Sequence, residues 1–332
     1  MNSINNSWLK TGFVTESLNE NIDFKNEILK LKREKNVLIM AHYYQNDEIQ
    51  DIADVIGDSL ALAQKAVNTN ADIILLCGVQ FMGETAKLLN PTKKVLIPDL
   101  NAGCSLADSC DPEEFKQFIS SHPDHVVVTY VNTTAAVKAL SDVVVTSSNA
   151  KMIIDSFPVD QKIIFGPDRN LGNYLNSLTG RNMLLWDGAC HVHEKFSLER
   201  ILAIKNNAPD AELICHPECK KNVVLASDFV GSTAALLSYV GKSDKSKFIV
   251  ATESGILHQM KKLYPEKTFI PAPPNDSTCA CNDCEFMKLN TLKKIFLTLK
   301  YEWPEVHVDI DIFDRAAMPI YRMLEITKRG QV

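Results

Sequence analysis

A chain of 332 residues, 45% hydrophobic and 23% charged, can bury a sizeable core and suits two or three compact units. Its net charge of -6 excludes the Lys/Arg surplus on which a nucleic-acid footprint rests. Thirteen glycines and fourteen prolines are ordinary for a globular protein and exclude a disordered chain.

The first stretch, "MNSINNSWLKTGFVTESLNENIDF", is polar and lacks the charged region and apolar core of a signal peptide. No apolar run approaches the ~20 residues needed to span a bilayer. The expectation is a cytoplasmic protein with no membrane partner, whose nine cysteines stay reduced and serve metal, cluster or redox chemistry, or packing. "KLKREK", at 30–35, lies in a helical pattern and reads as a solvated face. A strand follows, "NVLIMAHYY", ending in His42 and Tyr44. After it come "ADVIGDSLALAQKA", a short strand, turn and helix, and "IILLCGVQFMGETAKLL", a strand and helix. "KVLIPDLNAGC" then runs through a fourth strand to Cys104. "GETAKLLNP" lacks the phosphate-loop spacing, so no nucleotide site is inferred.

The same series then recurs twice. "HVVVTYVNT" and "AELICHPEC" match the first strand, and His42, Tyr130 and His216 stand 88 and then 86 residues apart. In the second element Asp54, Asp142 and Asp228 repeat the same 88 and 86, and the third strands end at Gly78, Gly166 and Ala251, 88 and 85 apart. Three series on nearly one period indicate a repeat of domain length rather than a solenoid. Short apolar strands alternate with amphipathic stretches such as "ALAQKAV" and "SGILHQMKKLY", the signature of parallel βα units. The expected fold is therefore α/β: three homologous αβα units with small parallel sheets, arranged about a pseudo-threefold axis. They span residues 24–105, 106–190 and 191–285. A C-terminal extension, 286–332, reads largely as two helices joined by a short extended piece. Ligands of open parallel sheets gather outside the carboxyl ends of the strands, so the three polar pairs should face something shared.

Each unit closes with a strand and then a cysteine: Cys104, Cys190 and one of Cys279, Cys281 or Cys284 in "TCACNDCEF". A closed zinc site takes four ligands in paired spacing, and only Cys281-x-x-Cys284 offers a pair. One thiolate from each unit would instead suit a [4Fe–4S] cluster with one iron left open, as Lewis-acid catalysis requires. Cys77, Cys215 and Cys219 lie in or beside apolar strands and read as packing residues, and Cys110 has no match in the other units.

The stretches "AHYYQNDEIQDIADVIGDS", "GVQFMGETAKLLNP", "NAGCSLAD", "TYVNTTAAVKALSDVVVTSSNA", "FGPDRNLGNY", "GACHVHE", "HPEC", "DFVGSTAAL", "ATESGIL" and "CEFMKLN" resemble the quinolinate synthase family over nearly the whole chain from about residue 24. That resemblance implies three similar αβα domains around a central site. It implies a transferase of NAD biosynthesis that condenses iminoaspartate with dihydroxyacetone phosphate to quinolinate, releasing phosphate and water, and a functional link to L-aspartate oxidase. It also implies a [4Fe–4S] cluster on Cys104, Cys190 and Cys284, with Cys279 and Cys281 outside the ligand set. Some relatives carry C-x-x-C-x-x-C here, linked to a thiol/disulfide switch. This chain has C-x-C-x-x-C, and one intervening residue strains a local disulfide.

The resemblance puts His42, Tyr44, His216 and Glu218 in acid–base roles, with Glu218 as proton shuttle and Tyr130 and Asn132 orienting carboxylate or phosphate. Ser59, Ser147, and Ser232 with Thr233 fall at equivalent strand-to-helix turns. Such residues are commonly plain N-caps, yet both substrates are anionic and helix N-termini with hydroxyls receive anions; recurrence and resemblance together assign these to substrate binding. His191, His193 and His258 are read as structural, and His122, His125 and His307 show no constellation. Two rivals stand beside this reading. One is another [4Fe–4S]-dependent hydro-lyase, indifferent to dihydroxyacetone phosphate. The other is an iron–sulfur or zinc redox sensor, for which no output module is visible.

Overall fold

The computed structural model describes residues 6–19, 21–275 and 282–330. Its first sheet holds β1 (Val37–His42), β2 (Val55–Gly57), β3 (Ile73–Cys77) and β4 (Lys94–Leu96). The second holds β5 (Val126–Tyr130), β6 (Val143–Val145), β7 (Ile163–Gly166) and β8 (Leu184–Leu185). The third holds β9 (Glu212–Cys215), β10 (Phe229–Val230), β11 (Lys247–Ala251) and β12 (Thr268–Pro271). The strand orders are β2-β1-β3-β4, β6-β5-β7-β8 and β10-β9-β11-β12, and every pairing is parallel. With helices between the strands, this is the expected α/β fold of three like units.

The apolar runs form strands because both faces of each sheet are covered. β3 reads IILLC and is buried throughout, as a central strand of a parallel sheet must be. Alternate side chains take opposite faces: Met40, Ile74 and Leu76 enter one core, Ile39, Ala41, Leu75 and Cys77 another. The first of these cores continues through Val128, Val144 and Phe165, so units one and two share it. Unit three has its own cores, around Leu213 and Ile249 on one face and Ile214 and Phe248 on the other.

The repeat extends to single hydrogen bonds. Asp54, Asp142 and Asp228 each accept the backbone N–H of the neighbouring central strand, at Ile39 (2.9 Å), Val127 (2.8 Å) and Leu213 (2.8 Å). Strand register corrects the third series. Ala41 pairs with Cys77, Thr129 with Gly166 and Cys215 with Ala251, so the equivalent of Gly166 and Ala251 is Cys77, one residue before Gly78.

Two further helices fasten the units. Leu292–Tyr301 joins Phe24–Glu34 over the outer face of the first sheet, where Ile28, Ile295 and Leu299 are buried. Ile310–Arg329 lies across units one and two, burying Ala316, Ile320 and Met323 in their shared core. Near its end Thr327 accepts from the Asn149 amide at 2.9 Å. No described helix is long and apolar enough to cross a membrane.

Candidate active site

β1, β5 and β9 are central strands, and their carboxyl ends carry His42, Tyr130 and, one residue beyond, His216. Two residues further stand Tyr44, Asn132 and Glu218. All six line one cavity of about 710 Å³, counting its open mouth, together with Ser59, Ser147, Thr233, Cys104, Cys190 and Cys284. The three sheets thus converge on one site. Ser232 is not among the residues that line the cavity; its hydroxyl caps the helix Thr233–Lys242 by accepting from Ala235 N–H at 3.2 Å. Cys279 and Cys281 lie outside the described residues.

The units interlock by hydrogen bonds at the cavity. The Tyr44 hydroxyl of unit one meets Thr233 (3.0 Å) and Thr252 (2.7 Å) of unit three. His216 Nε2 of unit three meets Ser147 Oγ of unit two at 3.2 Å. Ser148 lies 2.7 Å from Asp58 Oδ2 of unit one and 2.8 Å from Ser232 Oγ of unit three.

The H-x-Y and H-x-E spacings fix the imidazoles. His42 Nδ1 accepts from the Tyr44 N–H at 3.1 Å, and His216 Nδ1 from the Glu218 N–H at 3.4 Å. In the neutral ring the proton therefore sits on Nε2. Burial pushes both histidines down to about 3, so both are neutral donors. Burial alone would raise Glu218. The His193 imidazole and the Tyr130 hydroxyl outweigh it and hold the carboxylate ionised. Tyr44 and Tyr130 are driven up by burial and then by Glu218, and keep their protons.

His193, read from the sequence as structural, lines the cavity. It lies on the short helix His191–Glu194 rather than at a strand end, and is buried. Its Nδ1 is 2.7 Å from Glu218 Oε2 and 3.2 Å from Cys190 Sγ, and its Nε2 is 3.0 Å from Thr252 Oγ1. The signal was the Cys190-x-x-His193 spacing, one turn of helix. His191 also lines the cavity, whereas His258 pairs with Asp47 and Asp51 elsewhere. Glu253, missed as well, lines the cavity and pairs with Lys288 at 2.9 Å.

Each of the three cysteines is the N-cap of a four-residue helix: Cys104 before Ser105–Asp108, Cys190 before His191–Glu194, Cys284 before Glu285–Lys288. The described cysteines are all free. Burial pushes Cys104 to about 12 and Cys284 to about 11, and Cys190 up as well. Three thiols gathered in one cavity, made thiolates only by a bound cation, fit an iron–sulfur cluster with three protein ligands. Cys190, His193 and Glu218 also bring ligand atoms within 4.8 Å of one another, close enough to hold a single metal ion. The remaining described cysteines are packing residues: Cys77, Cys215 and Cys219 are buried in sheet cores, and Cys110 packs with Phe115. The Glu218 Oε1 and Asn132 Oδ1 atoms are buried without a protein partner, as acceptors waiting for a ligand would be.

The family model described as Quinolinate synthetase A protein matches residues 26–325. Similar curated proteins include the quinolinate synthase of Chloroherpeton thalassium, 53% identical over 92% of this chain and 95% of its own. That of a Synechocystis strain is 55% identical over 92% and 96%, and that of Trichormus variabilis 56% identical over 92% and 94%.

Proposed function

Since the chain belongs to the quinolinate synthase family, we propose that it condenses iminoaspartate with dihydroxyacetone phosphate to quinolinate in this cavity, with Cys104, Cys190 and Cys284 holding a [4Fe–4S] cluster. The observation that carries the reading is the meeting of those three thiols with His42, Tyr130, His216 and Glu218 in one cavity. When bound, the cluster supplies an open iron, a Lewis acid for loss of hydroxyl as water.

The other work falls to side chains. Glu218, ionised and held by His193 and Tyr130, takes the proton from the carbon beside the carbonyl. His42 and His216 direct Nε2–H at carbonyl or carboxylate oxygen and stabilise charge as it develops there, without being protonated themselves. Ser59, Ser147 and Thr233 hold the carboxylates and the phosphate through hydroxyls at strand-to-helix turns. Asn132 orients the same groups, and Tyr44 donates from the unit-three side. The iminoaspartate is the product expected of an amino-acid oxidation such as that of L-aspartate oxidase.

Anaerobic reconstitution followed by iron and sulfide analysis tests the cofactor, and quinolinate assay with and without dihydroxyacetone phosphate tests the reaction. Equal iron and sulfide with quinolinate formed only when both substrates are present supports the proposal. One iron without sulfide would favour the mononuclear site on Cys190, His193 and Glu218. Turnover indifferent to dihydroxyacetone phosphate would make the protein a hydro-lyase. Cys104→Ser, Cys190→Ser and Cys284→Ser are each expected to lose the cluster, and Cys279→Ser and Cys281→Ser to keep it.

A further inference from the structure

Strand register identifies Cys77, Gly166 and Ala251 as equivalent residues of the three units. Two residues beyond them stand Val79, Asp168 and Glu253. The carboxylates of units two and three are fully buried, and each accepts the backbone N–H of its unit's cavity cysteine. Asp168 Oδ2 accepts from Cys190 N–H at 3.2 Å while Oδ1 accepts from Leu171 N–H at 2.7 Å. Glu253 Oε1 accepts from Cys284 N–H at 3.2 Å while Oε2 accepts from Gly255 N–H at 2.7 Å. Val79 has nothing to offer Cys104 in this way.

The need for such an acceptor follows from the local structure. Each cysteine is an N-cap, and an N-cap N–H has no partner within its own helix. In a capping box, a Glu or Gln three residues into the helix reaches back to it. Here those positions are Ala107, His193 and Met287, so the partner must come from outside. Asp168 and Glu253 supply it from the end of the third strand, tying the cysteine's backbone to the rigid sheet. Gly255 allows this in unit three: a Cβ there would stand 2.9 Å from Glu253 Oε2 and 2.8 Å from the Tyr44 backbone.

We propose that Asp168 and Glu253 are positioning residues that hold Cys190 and Cys284 in ligand geometry, leaving Cys104 of unit one as the one cysteine free to adjust. The proposal rests on the reading of these cysteines as cluster ligands, but it is tested first without any cluster. In the apoprotein, alkylation by iodoacetamide is followed peptide by peptide in mass spectra for Asp168→Asn, Glu253→Gln and the control Asp142→Ala, which removes the acceptor of the Val127 N–H at a residue that does not line the cavity. Thiol reactivity follows access and thiolate fraction. The expected result is labelling about 10-fold faster at Cys190 alone in Asp168→Asn, and at Cys284 alone in Glu253→Gln, with Cys104 unchanged in both. In reconstituted protein both variants release iron to a chelator about 10-fold faster, the lower end of the effect of losing a partner of a metal ligand, while the control does not.

Equal acceleration at all three cysteines, or none at any, overturns the proposal. If either amide variant fails to fold, Asp168→Glu and Glu253→Asp keep the carboxyl group but move the acceptor, and the same site-selective labelling is required of them. Should the unaltered protein take up no cluster, the proposed function fails, while selective labelling of the apoprotein still decides the positioning roles.

Discussion

His42 and His216 are uncharged in the folded protein because burial holds both near 3, whereas an unfolded chain titrates them near 6.5. Between those values the unfolded state binds more protons, so stability rises with pH across this window and is lost as pH falls through it. The expected slope is up to about 1.4 kcal/mol per pH unit for each histidine. Urea unfolding of the apoprotein at several pH values measures it, and His42→Gln should remove about half. The same neutrality predicts that neither ring contributes a titration to the activity profile near neutral pH. His193 has another task, holding the Glu218 carboxylate. His193→Gln is expected to lower kcat for quinolinate formation about 100-fold, a usual size for a lost acid–base contribution, with a smaller change in KM. Its place was partly legible: Cys190-x-x-His193 is a recognisable spacing, but only the fold brings Glu218, from the loop after β9, to the same point.

For the strands and helices, the aspartates at 54, 142 and 228 show why the repeat could be read from sequence. A carboxylate that receives the N–H of an adjacent parallel strand must keep its place in each unit, and the buried strands beside it must stay apolar. Asp142→Ala leaves the Val127 N–H without that acceptor and is expected to cost about 1–3 kcal/mol in denaturant unfolding. What the sequence hid was pairing. Gly78 resembles Gly166 in residue type, yet hydrogen bonding across β1 and β3 puts Cys77 at that place, and no comparison of residue types reveals a one-residue slip in register. The turn hydroxyls were hidden in a similar way. Ser232 and Thr233 are adjacent, and their direction at the start of the helix decides that the first caps it and the second faces the cavity.

Across the whole molecule, the site exists only where the three units meet, so binding can be weakened in one unit without unfolding another. Ser147 reaches the cavity from unit two and contacts His216 of unit three. Ser147→Ala is expected to raise KM for dihydroxyacetone phosphate about 10-fold, the loss of one hydrogen bond to a charged group, with little change in the melting temperature of the apoprotein. The helix Ile310–Arg329 gives the same architecture a kinetic side. It closes the core shared by units one and two, although it follows all twelve strands in the chain. During synthesis the first two units therefore emerge with part of their common apolar surface still open, and their final docking waits for a segment made after unit three. Contacts of such long sequence separation form late and slow the approach to the native state, leaving an interval in which all three cysteines have been made while Cys104 and Cys190, on units one and two, are not yet fixed against each other.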